Sequence, residues 1–487
     1  MNIVDPILFQ CRQQPPAAAI CAPGAGISLI SYRRLEYFIH NISRRLLSYG
    51  LAPGSIAAVS IDDVIFHAAM VLALTRLGIA TISVRKNSIP PIKVDAFISD
   101  APLGFRSGDR AIQSDMSWTE GSDEPIESHY LPEISPDSIC RLIPTSGTTG
   151  TPKAVAISHR LLIDRMSRHG TVFGRRLANC ARIYSDAPIS TSLGFQFLIY
   201  TLWRGGTLFL PGDSFENTLQ AFEQYKVQAM VAPPSGLEVL WRWYDRFPEY
   251  QSNMETIICG GDKLPPSLSE RVRARICPHV IAAYGSTEAS MSATATAHAL
   301  NQSSDAVGFV APGVTVQVVA EADTILPPNT EGQIRIRSEF SVAGYFNAPE
   351  ETALSFRNGW FYPGDIGTLS SDQLLVITGR EKTMLNLGGD KIAPETVERV
   401  LSTCEGVVES AVCSLPNQLG INEVYALVVG PAALDLAKIK AHCATQLLPQ
   451  FIPTHFIAAD HLPRNEMGKV DRHHLPEIAK QAVARHQ

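Results

Sequence analysis

Short apolar runs alternate with helical patterns in the first half of the chain, and this alternation limits the folds that it can adopt. Residues 56–61 and 80–84 have the composition of buried strands, and a helical stretch from about Val64 to Leu77 separates them. A strand, a helix and a second strand at this spacing are typical of a parallel sheet with crossover helices. The sequence therefore predicts an α/β fold for this half.

Further elements continue the same alternation on both sides. A helix should precede the first strand, because Leu35, Phe38, Ile42 and Leu46 fall on one helical face and Gly50 can cap its carboxyl end. Downstream, the patterns predict helices over 192–204 and 218–225, and strands over 207–210, 227–232 and 256–259.

Beyond residue 307 the apolar period changes to two, which is typical of a half-buried strand. On one face of this strand are Gln333, Arg335 and Arg337, and on the other Ile334, Ile336 and Ser338. We expect a β-rich subdomain there. The full length of 487 residues is too long for one ordinary domain. About a hundred residues remain after Arg380, the size of an ordinary small domain.

Composition and charge exclude several classes of protein. Hydrophobic residues make up 45% and charged residues 18%, values of a soluble globular chain. The net charge of -6 gives no reason to expect nucleic acid. No signal peptide is evident, and Thr75 and Arg76 interrupt the apolar run over 68–84, so no membrane span is expected. The acidic stretch 115–137 is predicted to be a solvated connection.

The nine cysteines contain no C-x-x-C pair and lie in apolar surroundings. This pattern predicts reduced, buried thiols in a cytoplasmic protein.

A polar loop at 145–153 follows directly after the apolar residues 140–143. Its hydroxyls, backbone N–H groups and single lysine suit a polyanion, and its glycines allow the main chain to approach closely. A flexible connector has the same composition. The loop is not a P-loop, since counting from its first glycine puts Pro152 where the second glycine should be. The candidate phosphate-binding residues are Thr145, Ser146, Gly147, Thr148, Thr149, Gly150 and Lys153.

Three further stretches follow this loop in order, at 284–288 (Tyr-Gly-Ser-Thr-Glu), at 359–365 (Gly-Trp-Phe-Tyr-Pro-Gly-Asp) and from 379 to 395. Together with the loop, they resemble the adenylate-forming superfamily of acyl-CoA synthetases, peptide-synthetase adenylation domains and luciferases. The resemblance extends from about Ser31 to Lys469. It implies a large N-terminal domain of parallel α/β sheets with a β-rich subdomain over 1–379, and a small mobile C-terminal α/β lid domain over 380–487.

The stretch 284–288 combines an aromatic ring, hydroxyls and a carboxylate. Magnesium favours one or two carboxylates together with phosphate oxygens. Taken alone, the motif also fits a strand-to-turn junction with a solvated glutamate. The resemblance implies that Tyr284 stacks on adenine, Thr287 binds phosphate and Glu288 binds magnesium. It also makes Gly260, Gly261 and Asp262 the wall beside the adenine, although a Gly-Gly pair alone indicates only a turn.

Asp365 follows an aromatic run, and a carboxylate that accepts two vicinal hydroxyls is a common way to hold a ribose. An aspartate that caps a turn would give the same pattern. The family has Thr where this chain has Pro363, so no hydroxyl can contribute there. The resemblance implies that Arg380 contacts ribose and phosphate and that Lys382 is the hinge between the domains.

Two motifs near the end complete the resemblance. Gly388 and Gly389 match a glycine-bearing loop that lines the pantetheine tunnel, where glycine leaves room for a thin ligand. An ordinary Gly-Gly-Asp turn would also explain them. Lys469 matches the catalytic lysine. A carboxylate that attacks the α-phosphate of ATP is an anion approaching an anion, and an ammonium there offsets the repulsion.

The predicted acyl pocket departs from the family pattern at two positions. Thr191 stands where many carboxylate-activating relatives have His, and Ser192 where amino-acid-activating relatives have the Asp that binds the α-amine. With no carboxylate at 192, an α-amino acid is disfavoured. The predicted pocket residues are Thr191, Ser192, Phe195, Gln196 and Pro233, although these side chains could equally belong to the core.

The resemblance implies ATP-dependent activation of a small carboxylic acid to acyl-AMP, with Mg²⁺, followed by thioester formation with CoA. Loading of a phosphopantetheine on a carrier protein is the alternative, and amino-acid adenylation ranks last. A nucleotide-binding protein without chemistry is the hypothesis from another class. The retained Lys469, Glu288 and Asp365 argue against it. The acid, the pathway and the oligomeric state do not follow from the sequence.

Overall fold

The computed structural model describes residues 1–24, 28–84, 90–101, 110–124, 126, 131–145, 153–303, 306–387, 390–417, 422–431, 434–465 and 468–486. Most of the predicted phosphate loop (Ser146, Gly147, Thr148, Thr149 and Gly150) and the predicted tunnel glycines Gly388 and Gly389 lie outside these residues. The chain forms two compact units. The first unit comprises Met1–His298, Val310–Val314 and Arg337–Phe361, and the second comprises Ala299–Phe309, Thr315–Ile336 and Tyr362–Gln487. The predicted division at residues 379/380 stays a prediction.

The first unit alternates strands and helices along most of its length. Its strands are β1 (Ala18–Cys21), β2 (Leu29–Ser31), β3 (Ile56–Ser60), β4 (Ala80–Ser83), β5 (Ala96–Ser99), β6 (Ala111–Gln113), β7 (Ile139–Thr145), β8 (Lys153–Ser158), β9 (Arg182–Ser185), β10 (Thr207–Phe209), β11 (Ala229–Ala232), β12 (Thr256–Gly260), β13 (Val280–Ser286) and β14 (Ser290–Ala295). Its helices are α1 (Asp5–Gln13), α2 (Tyr32–Ser48), α3 (Val64–Arg76), α4 (His159–Ser167), α5 (His169–Val172), α6 (Gly174–Asn179), α7 (Ser192–Trp203), α8 (Phe215–Tyr225), α9 (Pro234–Arg246) and α10 (Pro266–Arg275).

Two sets of parallel strands form the framework of the first unit. In one, the strand order is β2-β1-β10-β9-β11-β12-β13-β14, and all neighbours from β1 to β13 are parallel. In the other, the order is β6-β5-β3-β4-β7-β8, parallel from β6 to β7. Antiparallel strands end both sets, β14 beside β13 and β8 beside β7. The predicted α/β fold class is confirmed.

Local sequence signals explain where the main helices begin. The side chain of Ser31 accepts a hydrogen bond from the Arg34 amide at the start of α2, and that of Asp63 accepts from the amides of Ile65 and Phe66 at the start of α3. The predicted helix before β3 is confirmed as α2. Its end is followed by Gly50, which has the left-handed φ of 61° that favours glycine.

Helix α3 has eleven buried residues, because it packs against α2, β3 and β4 and has little surface left to face water. The core of the first unit joins its apolar side chains to those of α1, α2 and α7. A separate cluster packs α8, α9 and α10 against β9, β11 and β12. The predicted site residues of the first unit therefore stand on a well-packed framework.

Several elements of the chain have residues in both units or lie beyond the parallel strands. They are α11 (Ala297–Gln302), β15 (Ala306–Val310), β16 (Val314–Val319) and β17 (Gly332–Ser338), and, in the first unit, α12 (Pro349–Ser355), β18 (Phe356–Arg357) and β19 (Trp360–Phe361). Short 3₁₀ turns span Met116–Thr119, Glu321–Asp323, Glu381–Thr383 and Pro449–Phe451.

The second unit is mostly antiparallel in its first part. There β21 (Leu374–Arg380) lies between β20 (Asp365–Leu369) and β15, and β20 also pairs with β17. The rest of the unit contains β22 (Leu385–Leu387), β23 (Asp390–Ile392), α13 (Pro394–Ser402), β24 (Glu409–Pro416), β25 (Asn422–Val429), α14 (Leu436–Gln446), β26 (His455–Ala459) and α15 (Leu475–His486). The predicted β-rich region and the small α/β segment are both present.

Three predictions about local structure need correction. Strand β11 begins at Ala229 instead of 227, because Lys226 has a left-handed φ of 51° that keeps the turn going. Helix α8 begins at Phe215 instead of 218, because Ser214 caps it. Arg335 was expected on the polar face of β17, but it is 8% exposed and donates to the side chains of Gln317 and Tyr362.

The acidic residues that the structure describes in the stretch 115–137 are exposed, as predicted, but the stretch also carries a buried aromatic side chain. Trp118 is buried in its 3₁₀ turn and stacks on Tyr49 with ring centroids 5.6 Å apart.

Each of the nine cysteines is a buried free thiol, as predicted, and the cytoplasmic location stays a prediction. Among the helices of the described ranges, none has the length and apolarity needed to span a membrane.

Candidate active site

Four neighbouring parallel strands of the first unit end side by side. The register pairs Ser185 of β9 with Val231 of β11, and Gly260 of β12 with Ala283 of β13. In open α/β sheets, ligands bind outside the carboxyl ends of such strands. The predicted acyl residues follow β9 and β11, and the predicted nucleotide residues follow or end β12 and β13. These predicted residues therefore lie on or after neighbouring strands that end at one edge of the sheet.

The segment that follows β12 makes a sharp turn. Gly261 has a φ of 99°, which only glycine adopts without strain. Asp262 Oδ1 accepts a hydrogen bond of 2.8 Å from the Lys263 amide, and this bond holds the turn. The backbone of Gly260 and Gly261 therefore lies next to the end of β13, and the adenine-wall role stays a prediction.

The motif 284–288 runs through a tight connection between β13 and β14. A Cβ on Gly285 would lie 2.4 Å from the Ser290 carbonyl oxygen, so the two backbones can approach this closely only with glycine there. Ser286 Oγ accepts from the Ala289 amide at 3.1 Å. Tyr284 and Thr287 are half-buried, and Glu288 is 8% exposed. Glu288 is thus buried, and it is not the solvated glutamate that a simple strand-to-turn junction would have.

Tyr345 holds the buried Glu288 carboxylate. Its hydroxyl donates to Glu288 Oε1 at 2.9 Å, and the Val342 amide donates to the Glu288 carbonyl at 2.9 Å. Burial and the adjacent Glu288 carboxylate raise the pKa of the Tyr345 phenol, so the phenol stays a donor at neutral pH. The sequence motifs did not identify Tyr345. The Gly-Tyr pair at 344–345 is the only signal, and it is weak.

Arg165 of α4 lies beneath the same turn and is fully buried. Its guanidinium donates to the carbonyls of Thr287 and Glu288 at 3.2 Å and to that of Phe340 at 2.8 and 3.0 Å. Burial lowers the pKa of Arg165 to about 10, which leaves it charged at neutral pH. The cation therefore fixes the backbone that carries the predicted magnesium and phosphate ligands. Sequence reasoning missed this residue as well.

The predicted phosphate loop connects β7 and β8, whose ends Thr145 and Lys153 pair across the hairpin. Thr145 is half-buried, and Lys153 is 6% exposed. Lys153 Nζ lies 4.6 Å from the centroid of the Tyr345 ring. Tyr345 thus contacts both Lys153 and Glu288, and brings two separately predicted residues into one cluster.

The residues of this cluster fit a magnesium ion that also binds ATP. Across the described part of the chain, no three His, Cys, Asp or Glu side chains gather as an all-protein metal site. Magnesium usually takes one or two carboxylates and completes its shell with phosphate oxygens and water. The Glu288 carboxylate, with one oxygen bonded to Tyr345, is a donor of that kind.

The predicted acyl residues surround the start of α7. Thr191 Oγ1 accepts from the Gly194 amide and caps the helix, and Gln196 Nε2 donates to Ser192 Oγ at 2.9 Å. Pro233 is the N-cap of α9. Phe195 is 1% exposed and packs in the core of the first unit.

Arg141 of β7 is a second fully buried guanidinium. It donates to Thr81 Oγ1 at 3.0 Å, to Ser83 Oγ at 2.7 Å and to the Ile189 carbonyl at 2.9 Å. It also lies over the Phe195 ring, 4.8 Å from the centroid. Burial lowers the pKa of Arg141 to about 10. This cation therefore anchors the connection between β9 and α7, where the acyl pocket is predicted.

A cavity of about 240 Å³ opens beside the end of β9. Tyr184, Asp186, Phe222 and Gly236 are among its lining residues. The predicted acyl residues are not among them.

In the second unit, Asp365 and Arg380 form a pair. They face each other across β20 and β21, and Arg380 Nε donates to Asp365 Oδ1 at 2.8 Å. Asp365 is 2% exposed, so the guanidinium compensates a buried carboxylate. The two residues predicted to contact the ribose are thus brought together.

The remaining predicted residues lie on turns of the second unit. The backbone of Lys382 lies in the 3₁₀ turn Glu381–Thr383, directly after β21. Lys469 is half-buried at the end of a tight turn, where its amide donates to Asn465 Oδ1 at 3.1 Å and its carbonyl accepts from the Asn465 amide at 2.8 Å. Gly468 adopts a left-handed φ of 73° within this turn. The catalytic and hinge roles stay predictions.

Comparison with known proteins identifies the family of this chain. Two family models match, described as AMP-binding enzyme over residues 9–346 and AMP-binding enzyme C-terminal domain over residues 396–469. A 4-chlorobenzoate–CoA ligase of Arthrobacter sp. is 26% identical over 97% of this chain and 94% of its own length. A feruloyl-CoA synthase of Amycolatopsis sp. is 30% identical over 72% of this chain and 70% of its own length.

A solved structure shows the same fold. The o-succinylbenzoate CoA synthetase of Bacillus subtilis, in complex with its acyl-adenylate intermediate, superposes with a TM-score of 0.81 at 21% identity, over 97% of both chains. The predicted resemblance and fold are therefore confirmed, and the acid–thiol ligase assignment holds at the level of the family. This chain belongs to the AMP-binding enzyme family.

Proposed function

We propose that this protein activates a small aromatic carboxylic acid with ATP and transfers the acyl group to CoA. The observation that carries the proposal is that the predicted acyl residues and the segments 260–262 and 284–288 follow or end the neighbouring strands β9, β11, β12 and β13. The buried Glu288 and Lys153 are joined through Tyr345 beside them. These two groups suit the binding of MgATP, and acid-dependent pyrophosphate release distinguishes an enzyme from a nucleotide-binding protein without chemistry.

The nucleotide roles follow from the chemistry of each side chain. Tyr284 stacks on adenine beside the backbone of 260–262, and Asp365, oriented by Arg380, accepts the ribose hydroxyls. Lys153 and the hydroxyls of the loop 145–149 bind the phosphates, together with Thr287. A magnesium ion held by Glu288 would neutralise phosphate charge.

Lys469 acts in the first half-reaction. A substrate carboxylate attacks the α-phosphate of ATP, the P–O bond to pyrophosphate breaks, and acyl-AMP forms. The Lys469 ammonium stabilises the negative charge that develops on the α-phosphate oxygens. In the second half-reaction, the thiolate of CoA attacks the acyl carbonyl and AMP leaves. We propose that the chain turns about Lys382 between these steps, and that Gly388 and Gly389 line the path of the pantetheine.

The acid should lack an α-ammonium group. Ser192 carries no charge to neutralise one, and its hydroxyl accepts a bond from Gln196. The names of the two relatives above contain chlorobenzoate and ferulate, which are aromatic acids without an amine. The pocket around Thr191, Ser192, Phe195, Gln196 and Pro233 is therefore proposed to take an aryl ring. The reduced thiols support a cytoplasmic location.

The test is a panel of benzoates, cinnamates, aliphatic acids and amino acids, each incubated with the full-length protein, ATP and Mg²⁺. Acid-dependent pyrophosphate release identifies the acid. Thioester is then measured with free CoA and, in parallel, with phosphopantetheinylated carrier protein. We expect release with an aryl acid and thioester with free CoA. Release only with amino acids, or thioester only on the carrier, would contradict the proposal.

A further inference from the structure

Tyr345 lies between two residues that the proposed function places at the ATP phosphates. Its hydroxyl donates to Glu288 Oε1 at 2.9 Å, and its ring faces Lys153 Nζ at 4.6 Å from the centroid. Glu288 and Lys153 are 8% and 6% exposed, so little water competes with either contact. A single side chain therefore touches both the carboxylate and the ammonium through different parts of its structure.

The position of Tyr345 is fixed independently of these two contacts. Its amide donates to Thr352 Oγ1 at 2.9 Å, and its ring packs edge-to-face on Phe356 at 5.6 Å. The next amide, of Phe346, donates to the Ala154 carbonyl at 2.8 Å, one residue after Lys153. Contacts with α12 and β8 thus hold Tyr345 in place, so it can orient the side chains that it touches.

The hydroxyl bond limits how Glu288 can present its carboxylate. Because Oε1 accepts the phenol, the orientation of the carboxylate is set and Oε2 is the oxygen left to face a metal ion. Partners that hydrogen-bond to a ligating carboxylate typically change metal affinity 10- to 100-fold when removed. The ring has a separate effect, since a buried ammonium over an aromatic face is stabilised at that place.

We propose that Tyr345 is a positioning residue that aims Glu288 at the magnesium ion of MgATP and keeps the Lys153 ammonium at the phosphates. The inference rests on the proposed function, because it takes the roles of Glu288 and Lys153 from there. It adds a residue that belongs to none of the sequence motifs. It also divides the two roles between the hydroxyl and the ring, so that different substitutions separate them.

The experiment measures binding of ATP to the full-length protein by calorimetry, first in EDTA and then across a range of Mg²⁺ concentrations. Tyr345→Phe keeps the ring and removes the hydroxyl. We expect the Mg²⁺ concentration at half-maximal enhancement of ATP binding to rise about tenfold. The affinity for metal-free ATP should change less than about twofold, since the ring still faces Lys153. Tyr345→Leu should in addition weaken metal-free ATP by about threefold.

Two controls separate positioning from general loss of structure. Tyr184→Phe removes the same kind of bond in the same unit, because Tyr184 donates to Asp186 Oδ1 at 2.9 Å, and it should leave the Mg²⁺ dependence unchanged. In a Glu288→Gln background, Tyr345→Phe should cause no further change in Mg²⁺ dependence.

Unchanged Mg²⁺ dependence in Tyr345→Phe, or an equal shift in Tyr184→Phe, would overturn the inference alone. Wild-type protein whose ATP binding does not respond to Mg²⁺ would overturn the magnesium role of Glu288 and the inference with it. The second failure appears before any substitution is made, so the two are distinguishable.

Discussion

Arg165 and Arg141 are two fully buried arginines of the first unit, and their guanidinium groups hydrogen-bond to different kinds of partner. Among the described residues, both donate their hydrogen bonds only to neutral oxygens. Arg165 binds three backbone carbonyls of the turns that carry Thr287, Glu288 and Phe340. Arg141 binds two strand hydroxyls and one carbonyl, and covers the Phe195 ring.

The difference indicates what each cation does for the site. A guanidinium has five donors in a rigid fork, so one side chain can join segments far apart in sequence. Arg165 joins residues 122 to 175 positions away, on the side of the predicted nucleotide ligands. Arg141 reaches the connection before α7, on the side of the predicted acyl pocket. Substituting each arginine should therefore affect a different substrate.

The largest expected effect is that of substituting Lys469, which lies outside both arginine clusters. The effects of substituting the two arginines can be compared with it. Lys469→Ala should slow acid-dependent pyrophosphate release by about 10²–10³, the loss seen when one preorganised stabilising group is removed. Its melting temperature should match wild type, because Lys469 is half-buried on a turn and not in the core. Pyrophosphate release at the wild-type rate would contradict the role of Lys469.

Arg165→Met should weaken binding of MgATP by roughly tenfold and lower the free energy of unfolding by about 1–3 kcal/mol, because the Thr287 and Phe340 carbonyls lose this donor. The KM for the acid should stay near wild type. Arg165→Lys keeps the charge but cannot span three carbonyls, so it should recover only part of the affinity. Calorimetric ATP binding and chemical denaturation measure both effects. An unchanged ATP affinity in a folded Arg165→Met protein would show that the turn does not need this cation.

Arg141→Met is the matched counterpart in the other cluster. It should raise the KM for the acid several-fold, to about tenfold at most, because the Ile189 carbonyl loses a charged donor. The affinity for ATP should not change. Steady-state kinetics with the acid and ATP varied in turn measure the two constants. If both arginine variants affect the same substrate, the division between the clusters is wrong.

The prediction of smallest effect concerns pH. His169 bonds to the Arg165 carbonyl through Nδ1 at 2.8 Å, and burial lowers its pKa to about 4, with Arg168 acting in the same direction. The pKa of His169 in the folded state lies below the usual value near 6.5. The neutral imidazole therefore contributes fully to the free energy of unfolding above pH 6.5, and this contribution is lost as the pH falls toward 4. Denaturation at pH 7.5, 5.5 and 4.5 should show that the free energy of unfolding decreases less with falling pH in His169→Gln than in wild type. Equal decreases in the two proteins would contradict this role of His169.

The sequence predicted the framework well because the responsible signals are local. The alternation of apolar runs with caps at Ser31 and Asp63 sets strands and helices one after another, and the motifs are short enough to read directly. Two of the wrong predictions concern one residue each. Lys226 has a left-handed backbone conformation that delays the start of β11, and Arg335 is buried because it hydrogen-bonds to Gln317.

The supporting residues of the site could not be found in this way. Tyr345 contacts Glu288 across 57 positions, and Arg165 contacts the Glu288 carbonyl across 123. Neither contact has a periodic or spaced pattern in the sequence, because both arise only when distant strands meet. Motifs indicate candidate groups for the chemistry, whereas the structure shows which side chains contact those groups.

The central claim is that the strand ends of the first unit carry an acid-activating centre that depends on Glu288. Acid-dependent exchange of labelled pyrophosphate into ATP, compared between wild type and Glu288→Gln, tests it most directly. We predict exchange in wild type only when the acid, ATP and Mg²⁺ are all present. In Glu288→Gln the exchange should fall by about 10²-fold or more at an unchanged melting temperature. Exchange that needs no acid, or that survives the substitution at the wild-type rate, would contradict the account.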